Sequence, residues 1–323
     1  MQPTTKILIS MLSCFILACG GGKNTQSLII ATATSGGTYY PVGVAVGTLI
    51  STKLQPRITA SAINSAGSGE NIQMLSNDEA DLAILQGLFG ELAHQGKGPY
   101  EGNPVEKIRS ITMLWQNVEH FLLLRRHVGS GNILDLKELD AKFSVGKRGS
   151  GTEGSTLAIF EVMGITPSHP EYLGYSASAQ AMMDGRIAGA TIPAGPPVAA
   201  VTQAFAQLGN DGLSVLQFSD DQVAAIQKVY PVWNRYIISP GTYPNQNEEI
   251  KTIAQPNFLA CRADLPEEVV YQITKTIYEN LSFLQNIHQA TKAMALHKAI
   301  DGLTVPLHPG ASRYYKEMGI PLP

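Results

Sequence analysis

From residue 28 onward the chain alternates short apolar runs with stretches of helical spacing. Leu28 to Thr32 (LIIAT) reads as a strand; it runs into Ser35-Gly36-Gly37 and then a helical pattern through Leu49. Ile58 to Ile63 predicts a second strand, broken by Asn64 to Gly69 and followed by a helix from Glu70 to about Ser76. Asp81 to Leu85 (DLAIL) predicts a third. Strands interleaved with helices predict an α/β fold with a largely parallel sheet. From Pro266 the pattern turns helix-rich, over Glu267 to Leu284 and Ile287 to Ala299. Phe121 to Arg126 (FLLLRR) and Tyr236 to Ser239 read as strands that pass between two lobes. The first lobe is then expected over 28–119 and 236–323, the second over 120–235.

A weak internal repeat supports two similar lobes. Asn71 to Leu85 and Ala179 to Pro193 align without gaps, sharing Met74/Met182, Ala80/Ala188 and Ile84/Ile192. Each reads as a short helix, a polar turn and a buried strand. A glycine-serine turn lies upstream of both, at Ala66 to Glu70 and at Arg148 to Glu153.

The first 18 residues follow another pattern. Lys6 precedes an uncharged run, Ile7 to Leu17, which is shorter than the ~20 residues of a membrane-spanning helix. It closes with Leu17-Ala18-Cys19-Gly20, which resembles the lipobox of bacterial lipoproteins. That resemblance implies a signal peptide over 1–18, cleavage before Cys19 and a lipid on its thiol. Residues 19–27, opening with Gly20-Gly21-Gly22, are then a flexible tether. The body of the protein is expected outside the cytoplasm (periplasm or cell surface), held to a membrane by this anchor.

Composition narrows the function. The chain is 44% hydrophobic and 15% charged, a globular balance. Its formal net charge of −3 gives no footprint for nucleic acid. Of three cysteines only Cys261 remains after the leader and the lipid site, so no internal disulfide is expected.

Three glycine-rich loops stand at strand-to-helix turns: Ser35-Gly36-Gly37-Thr38, Gly67-Ser68-Gly69 and Gly149-Ser150-Gly151-Thr152. Glycine leaves backbone N–H groups unobstructed, and the first turn of the following helix carries partial positive charge. Together these make an anion site that needs no lysine or arginine. Gly149 to Gly154 matches G-x-G-x-x-G, but it lies in mid-chain with only Glu171 as a rough ribose partner, so no dinucleotide cofactor is expected. The seven histidines are scattered without metal-ligand spacing, and no G-x-S-x-G elbow is present. Neither a metal, a cofactor nor an enzyme is expected. Glu119-His120 reads either as an acid–base pair or as a partly solvated strand entrance.

Taken in order, the motifs resemble the TAXI family of solute receptors, the extracytoplasmic subunits of tripartite ATP-independent periplasmic (TRAP) transporters. The residues that carry the resemblance are Ser35 to Pro41, Gly67 to Asn71, Ala80 to Ala83, Val145-Gly146 with Gly149 to Glu153, Asp264 to Glu267, Leu307 to Ala311 and Tyr314 to Glu317. The resemblance implies a two-lobed type II periplasmic binding fold, hinged, with a ligand cleft between lobes. It implies capture of a small carboxylate (an amino acid such as glutamate, or a keto or dicarboxylic acid) and delivery to the TRAP-type permease subunits. Gly37, Thr38 and Tyr39 match the first binding loop, Ser68 and Asn71 the second and Gln86 the third. Ser150, Gly151, Thr152 and Glu153 match the loop of the second lobe, with Ala194 in the last. Ser68, Ser150 and Thr152 are the expected carboxylate donors; Tyr39 is expected along the carbon chain, and Gln86 and Glu153 near a polar or amino group. Two positions depart from the family: Gly87-Leu88 after Gln86, and Ala188-Gly189 in the second lobe's turn. Arg148 is the nearest candidate for a cleft arginine. The competing reading is an exported small-molecule sensor or an enzyme using the same cleft.

Overall fold

The computed structural model describes residues 25–322. The expected leader over 1–18 and Cys19 lie outside the described residues. The first element among the described residues is β1 (Gln26–Ala31), so Gln26 and Ser27, expected in the tether, are strand residues instead. It continues as α1 (Tyr39–Leu54), β2 (Ile58–Ile63), α2 (Ser68–Ser76), β3 (Leu82–Gln86), α3 (Gly87–Gln95) and β4 (Ile108–Val118). After two residues, Glu119 and His120, a second unit starts with β5 (Phe121–Leu124) and β6 (Lys142–Ser144). It proceeds through α4 (Gly151–Met163), β7 (His169–Glu171), α5 (Tyr175–Met183), β8 (Gly189–Thr191), α6 (Ala199–Gly212), β9 (Leu213–Val215) and α7 (Asp220–Val229). The chain then returns to the first unit as β10 (Asn234–Ile238), β11 (Ile250–Arg262), α8 (Glu267–Glu279), α9 (Leu281–Ile287) and α10 (Pro309–Glu317).

Two sheets result. The first runs β10-β11-β3-β1-β2, with β4 also on β11; the second runs β7-β6-β8-β5-β9. In the first, β1 pairs β2 and β3 in parallel, while β11 lies antiparallel to β3. In the second, β6 pairs β7 and β8 in parallel, while β5 lies antiparallel to β8. Each lobe is therefore the same β-α-β-α-β unit closed by an antiparallel strand. In that wiring β1 answers to β6, α1 to α4, β2 to β7, α2 to α5 and β3 to β8.

The equivalence corrects one expectation. The sequence repeat rightly pairs α2–β3 with α5–β8, but the two glycine-serine turns upstream are not counterparts. Gly67-Ser68-Gly69 opens α2, whereas Gly149-Ser150-Gly151 opens α4, one helix earlier in the unit. The counterpart of the Gly149 turn is the loop before α1.

Apolar faces explain the layers. One face of the first sheet (Leu28, Ile30, Leu82, Ile84, Leu259) packs under α1, α8 and α10; the other (Ala31, Ala83, Leu85, Phe258) packs under α2 and α3. Cys261 is fully buried in the first of these layers, and burial pushes its thiol pKa up, as for an inert core cysteine. The helix expected over Ile287 to Ala299 does not form. Two 3-10 turns, Gln289–Ala293 and Leu296–Lys298, take its place. The Thr291 hydroxyl bonds the carbonyls of Leu284 (2.8 Å) and His288 (2.6 Å), and the His288 ring accepts from Ala290 N (3.1 Å). Such local side-chain bonds compete with helix continuation.

Candidate functional site

Three helices of nine or more residues begin at one cleft between the lobes: α1 after Thr38, α2 after Gly67 and α4 after Ser150. The first N–H groups of a helix have no intrahelical partner, and its N-terminus carries roughly half a positive charge. The ends of α2 and α4 meet head to head. Glu70 N donates to Gly149 O across the gap (3.1 Å), and a Cβ placed on Gly69 would stand 2.3 Å from that same oxygen. A Cβ on Gly151 would come within 2.7 Å of Gln86 Oε1 and 2.9 Å of Ser68 Cβ. Glycine at these two positions is what lets the lobes touch. The water-accessible space left between them is ≈ 20 Å³, little more than the ~10–15 Å³ one water needs. The lobes are closed.

Two positively poled helix ends held face to face repel each other, so the arrangement favours an anion between them. The side chains around it refine this. Ser68 Oγ accepts from Gln86 N (3.0 Å) and Ser150 Oγ caps α4 by accepting from Glu153 N (3.0 Å). The Ser150 hydroxyl keeps its hydrogen free to donate, whereas the Ser68 hydroxyl also hydrogen-bonds Tyr39. Gln86 is 3% exposed and its Oε1 has no partner, although it faces the start of α4.

The cleft is lined by Gly37, Thr38, Tyr39, Ser68, Gln86, Ser150, Gly151, Thr152 and Ala194. The other two residues expected there, Asn71 and Glu153, are not among its lining. Asn71 Nδ2 holds the carbonyls of Thr32 (2.8 Å) and Ile84 (2.9 Å), and its Oδ1 accepts from Ser65 Oγ (2.6 Å). It ties β1 to β3 beneath the loop. Glu153 turns back on its own loop, accepting from Gly149 N at 2.7 Å. Thr152 lines the cleft but its hydroxyl is spent: it donates to Tyr175 Oη (2.8 Å), which donates to Pro193 O (2.6 Å). Thr38 donates across the cleft to Gly195 O (2.9 Å). Tyr39 is 8% exposed, set edge-on against Trp115 with its hydroxyl on Asn257 Oδ1 (2.5 Å), so only one side of its ring faces the cleft.

Arg148 does not enter the cleft. Its guanidinium lies 3.5 Å over the Tyr172 ring. The neighbouring Lys147 lines the cleft instead, and Tyr175 and Gly174 close its second-lobe wall. Sequence reasoning missed these three; the Gly174-Tyr175 pair stands where wiring places a counterpart of Gly67-Ser68, a signal visible only once the units are aligned. Leu88 leaves the cleft altogether and packs with Phe121, Phe160 and Trp233 in the second lobe's core. The hydrophobic departure at that position therefore does not make the cleft apolar. Glu119 and His120 are both fully buried, against the expectation of a solvated strand entrance. They are no acid–base pair either: the His120 ring bonds Val118 O (2.9 Å), Ile192 O (3.1 Å) and Tyr243 Oη (2.7 Å). Burial pushes the imidazole pKa down to about 4. Among the described residues no cluster of His, Cys, Asp and Glu suited to a metal ion occurs, and no helix is long and apolar enough to cross a membrane.

The architecture is the two-lobed periplasmic-binding-protein fold, with its cleft at the N-termini of helices from both lobes. Residues 30–319 match the NMT1-like family, and the chain belongs to that family. Among solved structures, MatC from Rhodopseudomonas palustris with bound malate is similar at 12% identity and a TM-score of 0.57, over 91% of this chain and 98% of that one. The effector-binding domain of QuiR in complex with shikimate is similar at 13% identity and a TM-score of 0.50, over 84% and 100%. A putative L-cystine ABC transporter protein from Listeria monocytogenes matches at 12% and 0.50, over 83% and 97%. At such identities the likeness is one of fold.

Proposed function

We propose that this protein is an extracytoplasmic solute-binding receptor that captures a small organic acid between its lobes and hands it to a membrane permease. The observation that carries the reading is the meeting of the α2 and α4 N-termini across the cleft, with the Ser68 and Ser150 hydroxyls beside them. A carboxylate set there would take backbone N–H groups and two hydroxyls, and closure would exchange water for these fixed donors. Lys147 at the rim adds a screened attraction. That two similar folds are described with malate and with shikimate, both small acids, supports the choice of ligand class.

In the finer reading the permease is of the TRAP type and the receptor a TAXI member, anchored through a lipid on Cys19; the ordered motif set from Ser35 to Glu317 supports this. The amino acid, keto acid and dicarboxylate subclasses all present the carboxylate this site suits.

The test is a thermal-shift and calorimetric screen of L-glutamate, 2-oxoglutarate, L-malate and related acids. A binder raises Tm in step with RT ln(1 + [L]/Kd), without turnover. Consumption of the compound by catalytic amounts of protein would favour an enzyme, and no shift with any acid would overturn the receptor. Uptake in cells that survives ATP depletion but not collapse of ion gradients would separate a TRAP partner from an ATP-driven one. Cys19→Ser should release the protein from membranes.

A further inference from the structure

One loop of the second unit lines two different spaces. Pro193 and Ala194 line the cleft, whereas Pro196 and Pro197 line a separate pocket shared with the first unit. Gly195 stands between the two, its carbonyl taking the Thr38 hydroxyl. The water-accessible volume of this pocket is ≈ 520 Å³, against ≈ 20 Å³ in the cleft. That lies within the ~300–1,000 Å³ usual for small-molecule sites.

Its walls are fixed before anything enters. Trp115 is 1% exposed and held edge-on by Tyr39. A Cβ on Gly195 would stand 2.5 Å from Trp115 Cδ1 and 2.6 Å from Ala290 Cβ, so glycine there lets the second unit's loop lie directly on both. The His288 and Thr291 bonds that stop α9 set Gln289–Ala293 as a second wall. The third is the end of β10 and the turn after it, where Thr242 donates from its hydroxyl to Ser239 O (2.6 Å) and from its N to Gln246 Oε1 (3.0 Å). A pocket assembled from such tied segments loses little entropy when it is filled.

The lining chemistry names an occupant. Trp115, Tyr236, Pro196 and Pro197 contribute ring surfaces and Ile238 an aliphatic one, which suits a flat apolar group. Gln116 and Gln289 add amides. Lys292 is the one charged side chain among the described residues lining the pocket, and neither aspartate nor glutamate is among them. Lys292 is exposed, so an anion paired with it stays partly in water and avoids the desolvation cost of a buried pair. A cation would be repelled, and a dianion would find a single counter-charge. We propose that this pocket is a second ligand site, separate from the cleft, that takes a small ring-bearing monocarboxylate with its ring against the apolar walls and its carboxylate beside Lys292. The site goes beyond the receptor reading and does not depend on it.

The protein has two tryptophans, so its 1H–15N spectrum carries two indole N–H resonances, and Trp233→Phe identifies that of Trp115. Should that variant fail to fold, the Overhauser contact with the Ala290 methyl identifies it instead. Benzoate, 4-hydroxybenzoate, phenylacetate and cyclohexanecarboxylate are titrated to millimolar concentration. At least one should shift the Trp115 resonance and the amides of Gln289 to Ala293 saturably, and benzamide should bind more weakly than benzoate. Lys292→Ala should weaken the acid roughly two- to fivefold, as for an exposed ion pair, and leave benzamide unchanged. Ala293→Phe, at an exposed lining position, should fill the pocket and abolish the shift. Gly69→Ala, which obstructs closure of the cleft, should leave it intact. No saturable shift with any of the ring acids overturns the proposal, and equal binding of benzamide and benzoate overturns the acid class. A shift that survives Ala293→Phe but is lost in Gly69→Ala puts the acid in the cleft and overturns the second site while favouring the receptor. Failure of every acid to bind the cleft overturns the receptor alone, because the Trp115 titration still decides the second site.

Discussion

The loop before α1 and the loop before α4 occupy the same place in two lobes wired alike, yet they are finished differently. The α4 loop completes itself: Ser150 caps the helix, and Glu153 reaches back to Gly149 N. The α1 loop does not. Thr38 has helical backbone angles and no cap bond, and its hydroxyl goes to Gly195 O in the other lobe. Gly36 O likewise accepts from Ala200 N of α6 (3.1 Å). One loop is satisfied locally and stands ready in any state; the other is satisfied only when the lobes meet. The pair teaches how one supersecondary unit, used twice, supplies both a fixed anion cradle and a closure contact.

Gly69→Ala should disturb the comparison most. The added methyl meets Gly149 O and nothing closer within its own lobe, so it obstructs closure. Overpacking of this kind costs about 1–3 kcal/mol, or ~5- to 150-fold in affinity for the best acid found by calorimetry. Stability should hold or rise slightly, since alanine suits a helix better than glycine. A Gly69→Ala protein that binds normally would mean the closed contact is not used. Next in size, Ser150→Ala should lower unfolding stability by about 1 kcal/mol in denaturant melts through loss of a cap.

Thr38→Ala should instead leave the melt nearly unchanged while weakening ligand binding roughly fivefold through a lost interlobe bond of about 1 kcal/mol. If both variants shift stability equally, the two loops are not finished differently after all. The smallest effects belong to the neighbouring cations. Lys147→Ala should cost a few-fold in affinity that disappears at high salt, consistent with an exposed charge at the rim. Arg148→Ala should cost nothing, because that side chain lies on Tyr172. A larger effect for Arg148 would place the anion outside the cleft.

Much of this was legible in the chain. Alternation of apolar runs and glycine-serine turns placed β1, β2, α2 and β3 within a few residues, because strand burial and tight turns are local demands. Loop chemistry marked the turns at Gly37, Ser68 and Gly151 as anion-binding candidates, and the family resemblance set them at one cleft. Asn71 and Glu153 were legible as loop residues but not as internal ties, since whether an amide faces a ligand or its own backbone depends on carbonyls 13 to 40 positions away. The apolar Leu88 looked like an intrusion into the cleft; only the docking of α3 against the second lobe's core shows where it goes.

The order of elements and the chemistry of the turns were set by short-range rules: side-chain period, glycine at left-handed positions, hydroxyls before helices. Which turns face one another, why Lys147 rather than Arg148 reaches the cleft, and why Glu119 lies buried without a counter-charge were decided by tertiary structure. Burial is a property of what packs from elsewhere. Around Glu119 that means β11, α1 and α5, brought from 80 residues before to more than 130 after it in the chain.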